Sequence, residues 1–178
     1  MEGTVKTRDM TLTAVAAALL CIAGPLTVPA GPVPLSLATF AVYMAGAVLG
    51  KKRGTMAVAL YLMIGLAGVP VFSGFSGGFQ KLAGPTGGYL AGYLPCAYLA
   101  GMAAERAEKK NAGWILPAWM AAGTAVLYTL GTAWFMVQSG KALGAALAMC
   151  VVPFLPGDAA KIAAASLLSK PVRRAVKM

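Results

Sequence analysis

Apolar residues run along the chain in six long blocks, separated by short stretches rich in charge, glycine or proline. The blocks fall at about 10–28, 35–50, 54–72, 86–104, 114–138 and 142–169. "KKRG" (51–54) closes the second, "SGFSGG" (73–78) the third, "ERAEKKN" (105–111) the fourth and "QSGK" (138–141) the fifth. Several are shorter than the roughly 20 residues of a full membrane span, so they are expected to stand with little tilt or to thin the bilayer locally. Pro153 and Pro156-Gly157 interrupt the sixth block, and proline ends or kinks a helix. Residues 142–152 therefore read as a short helix at the surface or dipping in, and the last span as starting near Pro156, a good first helical residue. The pattern predicts an all-α polytopic membrane protein, a bundle of six transmembrane helices in a single integral membrane domain over residues 1–178.

The basic residues give a parity test of that count. With six spans, the N-terminus, the second-to-third gap, the fourth-to-fifth gap and the C-terminus share one side of the membrane. Those places hold Lys6, Arg8, Lys51, Lys52, Arg53, Arg106, Lys109, Lys110, Lys170, Arg173, Arg174 and Lys177, whereas the other side has only Lys81 and Lys141. Twelve against two is a strong positive-inside bias, so both termini are expected in the cytoplasm and the chain in the cell membrane, surrounded by the lipid bilayer. The basic start followed by an apolar run and "VPA" (28–30) imitates a cleavable signal peptide. With five more spans downstream, an uncleaved first helix is the expectation.

Three gaps then meet on the outer side: "GPLTVPAGPVP" (24–34), "SGFSGGFQKLAGPTGG" (73–88) and the Pro-Gly break before Asp158. They are rich in Gly and Pro and nearly free of charge, unlike plain hydrophilic connectors. Irregular backbone at membrane depth is tolerated where it packs in protein or lines a cavity, so these segments are expected to roof a pocket; tight turns are the simpler alternative. Asp158 and Lys161, in the otherwise apolar "PFLPGDAAKIAAASLL" (153–168), stand at i, i+3 on the first turns of the last helix. A charge near the bilayer centre costs roughly 2.5–3.5 kcal/mol on insertion scales, so the pair must face protein, water or ligand. It either closes the bundle as a mutual ion pair or anchors a polar ligand, the carboxylate accepting N–H groups and the ammonium donating to oxygens.

Composition narrows the function. The chain is 59% hydrophobic and 11% charged, against about 25% charged in soluble domains, and its mean hydropathy is +0.75. The net charge of +10 is a matter of membrane orientation and implies no nucleic-acid partner. Histidine is absent, so imidazole catalysis and His-containing metal sites are excluded. Cys21, Cys96 and Cys150 are scattered singly, without metal or redox spacing. "GAVLGKKR" (46–53) falls short of a P-loop, and "GFSGG" (74–78) does not fit a dinucleotide fingerprint. The chain is expected not to be an enzyme and to use no metal or cofactor. A concentrative transporter built on it needs energy from another subunit. A membrane enzyme with Asp158 as its lone base and a non-transporting scaffold subunit are the alternatives from other classes.

"GPTGGYLAGYL" (84–94), preceded by "VPVFSGFSGG" (69–78) and followed by "PFLPGDAAK" (153–161), resembles the BioY family, the biotin-specific substrate-binding (S) components of energy-coupling factor (ECF) transporters. "GPVPLSLATFAVYMAGAVLGKKRG" (31–54) is similar to that family's second-helix region. One departure is Ala38, where a glutamine is expected, which puts a polar role for the second helix in doubt. The resemblance implies six helices, biotin as the bound substrate, and energisation by a transmembrane coupling subunit and two cytoplasmic ATPases, although members differ in their need for that machinery. A different vitamin is the nearest rival ligand. The resemblance also implies that Asp158 takes the ureido N–H groups of biotin and that Lys161 serves the ureido oxygen or the carboxylate. Lys81 and Gln80 are weaker contacts, and Thr86 and Tyr89 are wall residues. In the first helix, Ala14 and Ala18 lie one turn apart, a spacing that lets another helix approach closely. This AxxxA pattern resembles how S components meet their coupling subunit. The stripe Gly84, Gly88, Gly92, Cys96, Ala100 and Ala104 is assigned to packing within the bundle.

Overall fold

A computed structural model describes residues 7–28, 35–110 and 112–177. Helix follows helix in the order α1 (Thr7–Ala23), α2 (Ala38–Leu66), α3 (Phe79–Ala83), α4 (Gly87–Lys110), α5 (Ile115–Ser139), α6 (Leu143–Cys150) and α7 (Leu155–Lys177), with a 3-10 turn at Val152–Phe154. Two short strands, β1 (Thr27–Val28) and β2 (Leu35–Ser36), pair antiparallel between α1 and α2. Most of the Gly/Pro-rich first outer gap, residues 29–34, and the basic Lys6 lie outside the described residues.

α2 is two helical arms joined at Gly50, whose φ of 84° and ψ of 173° break the helix. The second and third apolar blocks thus become separate arms, but "KKRG" does not form the connection. Lys51, Lys52 and Arg53 are helical, because one left-handed glycine makes the whole turn. The backbone N–H of Lys51 then donates to the Glu105 carboxylate at 3.1 Å, placing a negative charge at the start of the second arm. With α1, α4, α5 and α7 there are six long arms among the described residues, and α6 is the short helix expected at 142–152.

Several boundaries differ from the apolar blocks. α2 ends at Leu66 rather than near 72, since Gly68 adopts a φ of 102° and Phe72 turns back into the core. Phe72 meets Tyr61 edge-on with ring centroids 5.5 Å apart, and a Cβ on Gly65 would overlap the Phe72 ring. α4 continues through "ERAEKK" to Lys110, and α7 through Pro171 to Lys177, because Glu, Lys and Arg are strong helix formers once apolar packing has fixed the helix.

α4 sits between α2 and α5, and small residues let the backbones close up. A Cβ on Gly46 would overlap the Ala97 carbonyl, one on Gly101 would overlap the Lys51 backbone, and one on Gly88 would overlap Trp134. Gly92 packs on Leu127, and Cys96 on Gly123. The small-residue stripe of α4 therefore does pack inside the bundle, except Gly84, which caps α3 before α4 begins. Trp134 Nε1 and Gln138 Nε2 donate to the carbonyls of Gly84 and Ala83, at 2.9 and 2.6 Å, fixing the α3–α4 turn to α5.

Most of the charged residues collect at one end. Arg53 pairs with Asp9 at 2.6 Å, Lys51 with Glu105 at 3.6 Å and Arg173 with Glu108 at 3.1 Å, while Arg8 donates to the Val176 carbonyl. These links join the start of α1, the α2 break and the ends of α4 and α7, the places grouped by the parity test. Ile115–Ser139 and Leu143–Val176 are the two described stretches that pass for membrane-crossing helices by length and hydropathy alone.

Candidate ligand-binding site

The opposite end holds a small cavity that opens partly to solvent. Its polar floor is built where α2 and α7 begin. Ser36 Oγ accepts the Ala38 N–H at 2.9 Å and donates to the Gly24 carbonyl at 3.0 Å, so the Ser36 side chain ties the first N–H of α2 to the end of α1. Its carbonyl is left to face the cavity, where Lys161 Nζ donates to it at 2.6 Å. Lys161 also donates to Thr39 Oγ1 at 2.9 Å and to Asp158 Oδ1 at 3.0 Å, using all three ammonium hydrogens.

Asp158 is only 4% exposed. Its Oδ2 accepts the Tyr128 hydroxyl at 2.6 Å, and its Oδ1 accepts Thr39 Oγ1 at 3.4 Å besides Lys161. A carboxylate has about four acceptor sites, so with three donors seated it retains room for one more. The fixed negative charge also lies in the first turn of α7, where the helix dipole favours it. The mutual ion pair of the sequence reading is thus present, yet it is one part of a network drawn from α2, α5 and α7, and it lines the cavity.

Of the other sequence candidates, Lys81, Thr86 and Tyr89 line the cavity, whereas Gln80 is exposed and does not. Adjacent residues of a helix point about 100° apart, so α3 turns Gln80 away where it brings Lys81 in. The Tyr89 hydroxyl donates to the Cys150 carbonyl at 3.2 Å and lies 3.4 Å from Thr132, binding α4 to α5 and α6. Ser73, from the second Gly-rich gap, and the adjoining Phe72 supply wall, so that stretch does line a pocket. Ala14 and Ala18 do not line the cavity and lie on the exposed face of α1 beside Val15, Leu19 and Ile22; Thr13, Ala17 and Leu20 face the bundle instead.

The sequence reading missed Ser36, Thr39, Tyr93 and Tyr128, all of which line the cavity. For Tyr128 a signal existed, a hydroxyl in the middle of an apolar span. Thr39 stands beside Ala38, the departure that put the second helix's polar role in doubt; Ala38 is buried in the core, and Ser36 and Thr39 supply the polar groups.

A cavity with aromatic and leucine walls and one buried, multiply bonded ion pair has the make-up of a small-molecule pocket. The chain belongs to the BioY family, whose family model matches residues 1–178. It is 40% identical over 154 residues to a biotin transporter BioY of Thermotoga maritima, covering 85% of this chain and 88% of that one. Over 177 residues it is 34% identical to a biotin transporter BioY of Rhizobium etli, covering 94% of each. The crystal structure of the S-component for biotin from an ECF-type ABC transporter superposes with a TM-score of 0.87 at 30% identity, covering 100% of this chain and 95% of that one. Members of this family are transporter components and not enzymes, which removes the lone-base reading of Asp158.

Proposed function

We propose that this chain captures biotin from outside the cell as the S component of an ECF transporter. The supporting observation is the Asp158–Lys161–Thr39–Tyr128 network at the base of an otherwise apolar cavity, in a chain whose relatives carry the name biotin transporter. The ureido ring of biotin offers two N–H donors and a strong carbonyl acceptor, and its fused rings and alkyl chain suit walls such as Phe72, Leu90 and Leu127. The open acceptor site of Asp158 takes a ureido N–H. Lys161 is already fully engaged, so it either exchanges one protein oxygen for a ligand oxygen or serves by holding Asp158 in place. Lys81, Thr86 and Tyr89 form the upper wall; Gln80 has no part in this scheme. Equilibrium titration of the purified protein should show one saturable biotin site that riboflavin and thiamine do not occupy. Saturation by either of those instead would assign the chain to another vitamin.

The clustering of charges at the end away from the cavity supports six crossings with both termini cytoplasmic, in one integral membrane domain. In a background without the native cysteines, a cysteine at position 52 should be reachable by membrane-impermeant maleimide only from the cytoplasmic side. A cysteine at position 81 should react from outside. Labelling of position 52 from outside contradicts the topology. For partners, the exposed Ala14–Ala18 face fits a close helix contact with a transmembrane coupling subunit, itself driven by two cytoplasmic ATPases.

A further inference from the structure

A second cavity, open to solvent, lies at the charged end, where α4, α5 and α7 meet the α2 break. Ala47, Ala104 and Leu116 give it an apolar back wall. Its mouth carries Lys170, Arg173 and Arg174, against the single carboxylate of Glu108. Arg173 is spoken for in part: its two terminal nitrogens donate to the Ala47 and Val48 carbonyls and to Glu108. Its Nε has no hydrogen-bond partner, and neither has the hydroxyl of Ser169, which is 2% exposed and lines the same cavity. Among the described residues, no carboxylate lies within ion-pair distance of Lys170 or Arg174.

What this cavity lacks is a group with several acceptor oxygens and a negative charge. We infer that it binds a phosphate ester, the headgroup of an anionic phospholipid. Three cations against one carboxylate leave a net charge of +2 for an anion to neutralise, and guanidinium groups pair well with phosphate oxygens. The exposed Trp114 stands at the start of α5, beside the cavity residue Gly113, as a tryptophan does at the level of lipid headgroups. Basic pockets between helices on the cytoplasmic side are where such headgroups are held. The leaflet depends on the topology proposed above; the site itself does not.

The test uses the full-length protein in mixed micelles, which have no sides, so a wrong topology cannot produce a negative result. Native mass spectrometry should show phosphatidylglycerol retained at least about tenfold over phosphatidylcholine, the effect of one charge-assisted contact or more. In Lys170→Gln/Arg174→Gln that preference should vanish. Arg173 is left in place because it ties α7 to α2 and α4. Biotin binding should be unchanged in that variant, which confirms folding and keeps the result separate from the substrate assignment. Competition by inorganic phosphate would support the same site. Protection against heat by inorganic phosphate without any by phosphatidylglycerol would keep the phosphate chemistry and overturn the lipid source. Equal retention of the two lipids, or full retention by the double variant, would overturn the proposal.

Discussion

Asp158→Asn should weaken biotin binding at least about tenfold while the protein still folds and inserts, and Lys161→Met should weaken it as well. Loss of a charge-assisted hydrogen bond is worth about 1.5–3 kcal/mol, or roughly 10- to 150-fold in affinity. The asparagine keeps the shape and one acceptor oxygen but removes the charge that orders Lys161, Thr39 and Tyr128. The single and double variants discriminate between the two roles of the pair. Breaking a buried ion pair from one side strands a charge, so if the two residues only neutralise each other, removing both is milder than removing either. Stability should follow that pattern in part, since Lys161 sits 3.0 Å from Asp158. Affinity should not: the double variant should bind biotin worst of the three. Calorimetric titration reads affinity and thermal unfolding in detergent reads stability, so both are available on the same samples.

Ala14→Trp/Ala18→Trp should abolish biotin uptake by cells while leaving biotin binding by the purified protein intact. Both alanines lie on the exposed face of α1, and the residues facing the bundle are Thr13, Ala17 and Leu20. Two indole rings there add bulk on a face that the described residues leave exposed, but they block the close approach that small residues at four-residue spacing allow another helix. Uptake with an assembled coupling subunit, measured beside binding, separates the two effects. Uptake at the level of the unchanged protein would show that the docking face lies elsewhere.

How far the sequence discloses these features depends on how local their cause is. Asp158 and Lys161 were legible because two charges one helical turn apart in an apolar run must answer to something, and Pro156 marks where their helix begins. The division of α2 was legible from "KKRG", though its cause is Gly50 alone. Thr39 was not, and Tyr128 only as a hydroxyl in an apolar span: the hydrogen bonds that recruit them to Asp158 span 119 and 30 residues of chain, which no local pattern reveals. Gln80 falls outside the cavity lining for a related reason, since sequence places it next to Lys81 but not which of the two a five-residue helix turns inward. The ends of α4 and α7 ran past their apolar blocks because charge stops an apolar pattern without stopping a helix.

The central claim is that the cavity floored by Asp158 and Lys161 holds biotin. It is tested most directly by purifying the protein from cells grown with biotin, denaturing it and identifying the released small molecules by mass spectrometry. Biotin should be released from the unchanged protein in an amount approaching one per chain, and in much smaller amount from Asp158→Asn. Release of a different vitamin, or of equal biotin from both proteins, would contradict it.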